Sequence, residues 1–226
     1  MVVGEPIVNY RETLNESVKF NYLHKKQSGG AGQFARVIGY MKPLIDLSEG
    51  ENKDIFNNQF INKINGQEVP AEFISAVEKQ FYESCSNGSL TSYPMINCQF
   101  VLEGGETHSV DSSQMAFQTA TRYAIHSCFQ SNAATLLEPL MLVEVSVPVE
   151  YYQPVLNSLT QRGGNVFHTE TVGDVFVMKA KVTLSSMFGF MGEMRGHTQG
   201  QGELSMEYLT HTPVPKGDQD KIVQKI

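Results

Sequence analysis

Apolar residues between positions 136 and 209 alternate between a period of two and a period near 3.6, and the order of these patterns restricts the fold strongly. A period of two is typical of a half-buried strand, whereas helical spacing is typical of an amphipathic helix. The patterns predict strands over 136–147, 165–171, 175–184 and 203–209, and helices over 152–161 and 186–195. Their order, β-α-β-β-α-β, predicts a split βαβ unit, in which two helices cover one face of a four-stranded antiparallel sheet.

The chain before residue 135 has a different pattern, which predicts a separate domain. Strands over 17–23 and 33–41 flank a glycine-rich loop, which indicates a hairpin with a long, exposed tip. Pro70 opens a helix with one apolar face, and a strand over 95–102 follows. We therefore expect domains over 1–135 and 136–215, followed by a polar tail over 216–226 that is disordered.

A second helix of the first domain is predicted after the pair Asp111-Ser112, which offers an N-cap. Small residues recur at helical spacing along it and form a ridge that permits close packing against a neighbouring helix. The residues of this ridge are Ala116, Ala120, Ala124 and Cys128.

Composition excludes several classes of protein. The net charge of -7 argues against general affinity for nucleic acid, so any contact with RNA is expected to be local. The apolar runs fall far short of the ~20 residues of a membrane helix, so no membrane partner is expected. Cys85, Cys98 and Cys128 have neither disulfide nor zinc-ligand spacing and are expected to be buried thiols, without a metal site.

An enzymatic role finds little support in the motifs. The stretch Gly30-Ala31-Gly32-Gln33-Phe34-Ala35 fits the loose dinucleotide pattern, but the residues after it favour a strand, whereas the motif works by opening a helix. No P-loop pattern occurs in the chain. A catalytic group made from Glu103, Glu106, Asp111, His108 and Ser112 lacks a nucleophile elbow, and Asp111-Ser112 is explained as a helix cap. We expect no catalytic residue in this chain.

Several ordered stretches resemble the C-terminal two domains of elongation factor G, in the form common in mitochondrial members. The longest covers His24 to Gln33 and looks like the tip loop of the family's fourth domain. The others, in the family's order, are Tyr10-Arg11-Glu12-Thr13, Val110-Asp111-Ser112-Ser113, Leu136-Leu137-Glu138-Pro139 and Met206-Glu207-Tyr208. Together the matches span residues 5 to about 213.

The resemblance implies an α+β protein with an N-terminal ribosomal-protein S5 domain 2-like domain and a C-terminal ferredoxin-like split βαβ domain. It implies the ribosome-binding portion of a translational GTPase that promotes translocation of tRNA and mRNA during polypeptide elongation. The partners implied are ribosomal RNA, tRNA, mRNA and N-terminal GTPase domains absent from this sequence, where GTP and magnesium would bind. The implied location is the mitochondrial matrix, with a bacterial cytoplasm as the other expectation.

Site residues follow from the same resemblance. The tip loop is expected to contact RNA in the decoding region, where its glycines let the backbone adopt positive φ and approach RNA closely. His108 is expected on a second tip loop close to the first. In the last domain, Arg162 and Arg195 are candidate contacts to ribosomal RNA, although ordinary glycine capping of two helices explains their surroundings equally well. The tip residues are Lys25, Lys26, Gln27, Ser28, Gly29, Gly30, Gly32 and Gln33.

Other functions compatible with the sequence are a ribosome recycling or protection factor of the same architecture and a small-molecule-binding regulatory module, since ferredoxin-like folds host many functions. The glycine-rich tip favours translocation over recycling. A sheet of the RRM type is disfavoured because its aromatic signature is absent from the predicted strands.

Overall fold

The structure is a computed structural model that describes residues 8–27, 32–45 and 56–224. The chain divides into two compact units. The first unit comprises Tyr10–Leu137 and Pro213–Ile226, and the second comprises Met1–Asn9 and Glu138–Thr212. None of the helices in the described ranges is long and apolar enough to cross a membrane.

The first unit contains strands, two long helices and a short C-terminal helix. Its elements are β1 Arg11–Leu14, β2 Val18–Lys26, β3 Gln33–Pro43, β4 Gln59–Asn62, α1 Ala71–Ser86, β5 Cys98–Glu106, α2 Gln114–Phe129 and α5 Lys216–Val223. Four of the strands form a sheet with the order β2-β3-β5-β4. Strand β4 runs parallel to β5, and the other neighbours are antiparallel. The short strand β1 pairs with residues 134–137, which begin a long strand that continues into the second unit.

The core of the first unit lies between the sheet and the helix pair α1 and α2. Phe81 of α1, Phe117 of α2 and Phe100 of β5 are fully buried in one apolar cluster. The predicted small-residue ridge of α2 is confirmed, because all its members are fully buried. Helix α1 packs beside α2, and their apolar side chains cover one face of the sheet. The unit has the S5 domain 2-like fold that the resemblance implied.

The second unit has the predicted element order and the ferredoxin-like fold. Its elements are β6 Ala134–Pro148, α3 Tyr152–Gln161, β7 Asn165–Val172, β8 Val175–Thr183, α4 Phe190–Thr198 and β9 Glu203–Pro213. The sheet has the order β9-β6-β8-β7, and β8 pairs antiparallel with both β6 and β7. Helices α3 and α4 bury Val155, Leu159 and Phe190 in the same cluster as Val145 and Met178 of the sheet.

The structure corrects several predicted elements. The tail, expected to be disordered, contains helix α5, and the helix expected over 186–195 is a 3-10 turn, Ser185–Met187, followed by α4. Strand β5 begins at Cys98 and runs beyond the predicted end. Strands β1 and β4 were not predicted, because four residues are too few to establish a period.

The N-cap of α2 is also corrected by the structure. The cap is Ser113, whose hydroxyl accepts the backbone N–H of Ala116 at 3.1 Å, and not Asp111 or Ser112. Asp111 and Ser112 do not cap α2, and they make other contacts.

Candidate nucleic-acid interface

The hairpin of β2 and β3 carries the first tip loop, which is shorter than the sequence indicates. The strands stay paired as far as Lys26 and Gln33, so Lys25 and Lys26 are strand residues. Both lysines and the following Gln27 are exposed. The loop itself covers 27–32. The predicted RNA-contacting residues Ser28, Gly29 and Gly30 lie outside the described residues.

Gly32 leaves no room for a side chain on the side that faces Asp111. A Cβ atom at Gly32 would lie 2.5 Å from Oδ1 of Asp111. Any larger residue at this position would therefore displace the Asp111 side chain.

The second tip loop, residues 107–113, is fastened to the base of the first loop through Phe34. The backbone N–H of Phe34 donates to the Asp111 carbonyl at 2.9 Å, and the Ser112 hydroxyl donates to the Phe34 carbonyl at 2.7 Å. The rings of Phe34 and His108 lie 5.9 Å apart. These contacts bring His108 next to Phe34, at the start of β3.

The contacts of His108 at Nδ1 leave Nε2 as a donor in either protonation state. Its Nδ1 accepts the backbone N–H groups of Val110 at 3.3 Å and Asp111 at 3.2 Å, which requires the neutral ring with the proton on Nε2. In the cationic ring, Nδ1–H instead faces Oδ2 of Asp111 at 3.5 Å. Nε2 carries a hydrogen in both states, and the side chain is half-exposed.

The imagined acid–base group is not assembled around Ser112. The Ser112 hydroxyl accepts the backbone N–H of His108 at 2.8 Å and donates to the Phe34 carbonyl. It is therefore bonded to backbone groups and not to the His108 ring. Glu106 pairs with Arg36 at 2.7 Å on the sheet. This arrangement fastens loops and lacks the nucleophile–base contact that catalysis would need.

Gln33, another predicted tip residue, is oriented by a neighbour on the opposite strand. Its Oε1 lies 2.7 Å from Nε2 of His24. With the ring donating, the amide oxygen of Gln33 is engaged and its NH₂ group faces away from His24. The pair thus leaves Gln33 with donors for an acceptor such as a ribose or phosphate oxygen.

Arg162, predicted as a contact to ribosomal RNA, is bonded within the second unit. Its Nη1 donates to the carbonyls of Ser186 at 2.6 Å and Phe188 at 3.0 Å, and its Nη2 donates to Glu193 at 2.6 Å. The guanidinium also lies 5.6 Å from the centre of the Phe190 ring. Both terminal nitrogens therefore hold the segment that leads into α4.

Glycines take part in the caps at the ends of both α3 and α4. At the end of α3, Gly163 has a φ of 78° and Gly164 N–H donates to the Leu159 carbonyl, as in a Schellman motif. Helix α4 continues through Gly196 to Thr198, and Gly200, with a φ of 84°, donates its N–H to the Arg195 carbonyl at 3.0 Å. Arg195 thus lies inside α4, with an exposed side chain.

The cysteines are buried free thiols, as predicted. Burial raises the pKa of Cys98 and of Cys128 to about 12, and it raises the pKa of Cys85 as well. The thiols therefore stay protonated at neutral pH. Among the residues that the structure describes, no group of three or more His, Cys, Asp or Glu side chains could hold a metal ion.

The sequence did not reveal the residues that fasten the tips. Phe34 and Ser112 are 78 positions apart, and no motif joins them. Their role comes from pairing between β3 and β5, which brings the base of the hairpin beside the end of β5. Only the family resemblance pointed to proximity of the two loops.

Comparison with known proteins identifies the family of the chain. The family model "Elongation factor G, domain IV" matches residues 6–133, and "Elongation factor G C-terminus" matches residues 135–222. The chain is 44% identical to mitochondrial elongation factor G-1 of Arabidopsis thaliana over 221 residues, which cover 98% of this chain and 28% of that protein.

A crystal structure of a protein from Thermus thermophilus is similar, with a TM-score of 0.77 and 29% identity. The similarity covers 98% of this chain and 32% of that one. The chain thus spans about a third or less of the proteins that it matches. On the strength of these matches, the chain belongs to the elongation factor G family and corresponds to its domain IV and its C-terminal domain.

Proposed function

We propose that this chain is the ribosome-binding portion of a translational GTPase that promotes movement of tRNA and mRNA during elongation. Its two tip loops enter the decoding region of the ribosome. The observation that carries the proposal is the fastening of both loops through Phe34, Asp111 and Ser112. A second loop that is bonded to the base of the hairpin loses less conformational entropy on binding than a loop without such contacts.

The groups at the tip suit RNA. Lys25 and Lys26 are exposed cations for phosphates, and Gln27 and the NH₂ group of Gln33 are donors for sugar oxygens or base edges. His108 adds a donor at Nε2. The proposed contact surface also includes Ser28, Gly29, Gly30 and Gly32.

A second contact to ribosomal RNA is proposed at Arg195 of α4. Its side chain is exposed, and it forms no ion pair with the residues that the structure describes. The contact predicted for Arg162 has less support, because its terminal nitrogens already bond Ser186, Phe188 and Glu193. Arg162 would then act by holding the segment before α4 in place.

The nucleotide cycle is proposed to reside outside this chain. GTP and magnesium would bind in GTPase domains of the same factor, which this sequence does not contain. Location in the mitochondrial matrix is proposed from the 44% identity to a protein named as mitochondrial. Hydrolysis would set the timing, and binding by the tip would keep the tRNA from slipping back.

The test is a graft. The two C-terminal domains of a bacterial elongation factor G are replaced by residues 1–226, and GTP hydrolysis and single-round mRNA movement are followed together. The unaltered bacterial factor and a version without the two domains serve as controls. The proposal requires that both activities persist. Hydrolysis with no movement would contradict it and would favour a recycling factor.

A further inference from the structure

One face of the sheet β2-β3-β5-β4 points away from α1 and α2 and carries many cations. Side chains alternate along a strand, and Phe20, Val37 and Phe100 are buried on the helix side. Alternate positions therefore belong to the opposite face. We call its cations the basic face, which consists of Lys19, Lys25, Arg36, Lys42 and Lys63.

The strand registers place aromatic residues opposite two of these cations. Lys19 is opposite Tyr40 in the pairing of β2 with β3, and Lys25 is opposite Phe34. Lys63, just after β4, donates from Nζ to the Tyr40 hydroxyl at 3.0 Å and lies 5.4 Å from the centre of that ring. This hydrogen bond raises the pKa of Lys63, which keeps the amine cationic.

Most of these charges are not neutralised by the protein. Arg36 pairs with Glu106, but within the described ranges of the chain no ion pair involves Lys19, Lys25 or Lys42, all of which are exposed. The same face also carries Glu103 and Glu106, so its five cations leave it with a positive charge, whereas the whole chain has a net charge of -7. Unpaired cations on one surface are the electrostatic footprint of phosphate binding.

The dimensions suit a nucleic-acid backbone. Lys19 and Lys25 lie six residues apart on one strand, which at ~3.3 Å per residue is about 20 Å. One turn of a B-form DNA duplex measures roughly 34 Å, so this row is long enough to follow about half a turn of a nucleic-acid duplex. Asn21 lies between the two lysines and adds a polar group that can bond sugar and phosphate oxygens.

We infer that the basic face binds the phosphate backbone of a double-helical RNA segment, continuous with the tip of the hairpin. A protein partner fits less well, because the centre of a protein interface is depleted in charged residues. The inference rests on the proposed function for the identity of the RNA, which would be ribosomal RNA or tRNA. RNA binding itself can be measured without the ribosome.

The test compares two charge-matched double variants of the 226-residue chain. Lys19→Gln with Lys42→Gln alters the basic face away from the tip, and Lys79→Gln with Arg122→Gln removes the same charge from α1 and α2. Binding to a fluorescein-labelled RNA hairpin is followed by fluorescence anisotropy at salt concentrations from about 50 to about 300 mM, over which the affinity is expected to fall. Thermal melting checks that both variants fold.

The basic-face variant is expected to bind about tenfold more weakly at low salt, with a salt slope shallower by ~0.9 for each phosphate that it no longer neutralises. The helix-face variant should bind like the unaltered chain. Equal affinities and slopes for the two variants would overturn the inference, and so would no binding of the hairpin by the unaltered chain.

The same variants in the grafted factor separate this inference from the proposed function. Slower mRNA movement with the basic-face variant alone would support the inference on the ribosome. If the unaltered graft moves mRNA and the basic-face variant matches it at every salt concentration, the inference fails and the proposed function stands. If the unaltered graft does not move mRNA, the proposed function fails, and the hairpin measurement still decides RNA binding.

Discussion

At the residue scale, Glu12 shows how one buried carboxylate can join two distant segments of the chain. Its side chain is fully buried, and its carboxylate accepts the backbone N–H groups of Leu90 at 2.8 Å and Thr91 at 2.6 Å. The Thr91 hydroxyl is a third donor at 2.9 Å. A Cβ at Gly88 would lie 2.3 Å from this carboxylate. Glu12 thus ties β1 to the loop that follows α1.

Replacing Glu12 with alanine should lower the free energy of unfolding by about 3–5 kcal/mol, because three buried donors would lose their acceptor. Glu12→Gln keeps one acceptor oxygen and should cost less. Urea denaturation of both variants measures the difference, with the exposed Glu16→Ala as control. A loss for Glu12→Ala no larger than for Glu16→Ala would contradict this role.

The pair of Arg162 and Glu193 has a consequence for pH. The hydrogen bond from Arg162 is the main cause that lowers the pKa of Glu193 below its ordinary 4.5. A lowered pKa in the folded state stabilises the fold above pH 4.5, and this stabilisation is lost as the pH falls through the lowered value. Because the side chain is partly exposed, solvent screens the effect.

Glu193→Gln should therefore weaken the second unit at pH 7 and reduce the further loss of stability below pH 4.5. Thermal melting between pH 3 and 7 (about the interval in which carboxylates titrate) tests this, with the exposed Glu203→Gln as control. The assignment would be wrong if the acid dependence of Glu193→Gln paralleled that of the unaltered chain.

At the scale of elements, the contact between β3 and β5 depends on a glycine. The register shifts between Ile38 and Gly39, and a Cβ at Gly39 would lie 2.0 Å from the Val101 carbonyl. At Gly104 the nearest atom to an added Cβ is Cβ of Ile38, 3.9 Å away. Gly39 therefore has no room for a side chain, whereas Gly104, in the same pair of strands, does.

Gly39→Ala should cost about 2–3 kcal/mol of folding free energy, because backbone atoms must move to admit the methyl group. The matched variant Gly104→Ala should change stability little. Chemical denaturation of both variants gives the comparison. Equal effects would show that the two strands adapt more easily than their spacing indicates.

Helix α5 is bonded to strand β6 through the side chain of Gln219. The Gln219 Oε1 accepts the backbone N–H of Leu136 at 3.0 Å, and its Nε2 donates to the Ala134 carbonyl at 3.2 Å. Gln219 therefore forms hydrogen bonds with two backbone groups of β6, although α5 is not part of the sheet. The polar composition of the helix gives no sign of this contact.

We expect Gln219→Ala to destabilise the first unit by about 1–2 kcal/mol and to speed hydrogen exchange in α5. Gln224→Ala, at the exposed end of the helix, is the control. Hydrogen exchange followed by mass spectrometry distinguishes the two. Unchanged protection of α5 in Gln219→Ala would mean that other contacts hold the helix.

At the scale of the whole molecule, we expect a substitution in the second tip loop to change mRNA movement without changing GTP hydrolysis. His108→Ala removes the donor at Nε2 and leaves the N–H groups of Val110 and Asp111 without their acceptor. In the grafted factor it should slow single-round mRNA movement by about 2–10-fold, the range expected for one hydrogen bond. GTP hydrolysis should not change, because its site is proposed to lie in domains outside this chain.

His126→Ala, which alters an exposed histidine on α2, is the control for this measurement. Stopped-flow fluorescence of labelled mRNA gives the rate of movement, and phosphate release gives hydrolysis. A movement rate equal to that of the control would refute the role of His108.

The sequence by itself determined the elements whose signals are local. The order β-α-β-β-α-β, the bounds of α3 and the buried ridge of α2 were all predicted correctly, because the period of apolar residues reports directly which side faces a core. The hairpin was predicted for the same reason. The sequence also identified the family, since its motifs are long and ordered.

Tertiary structure alone decided the features that depend on distant partners. Strands β1 and β4 are too short to show a period and form by pairing, and α5 forms although its composition favours disorder. The fastening of the tips joins Phe34 to residues far along the chain, and the basic face collects lysines from separate strands. Contacts of this kind depend on three-dimensional proximity, which a pattern along one chain does not encode.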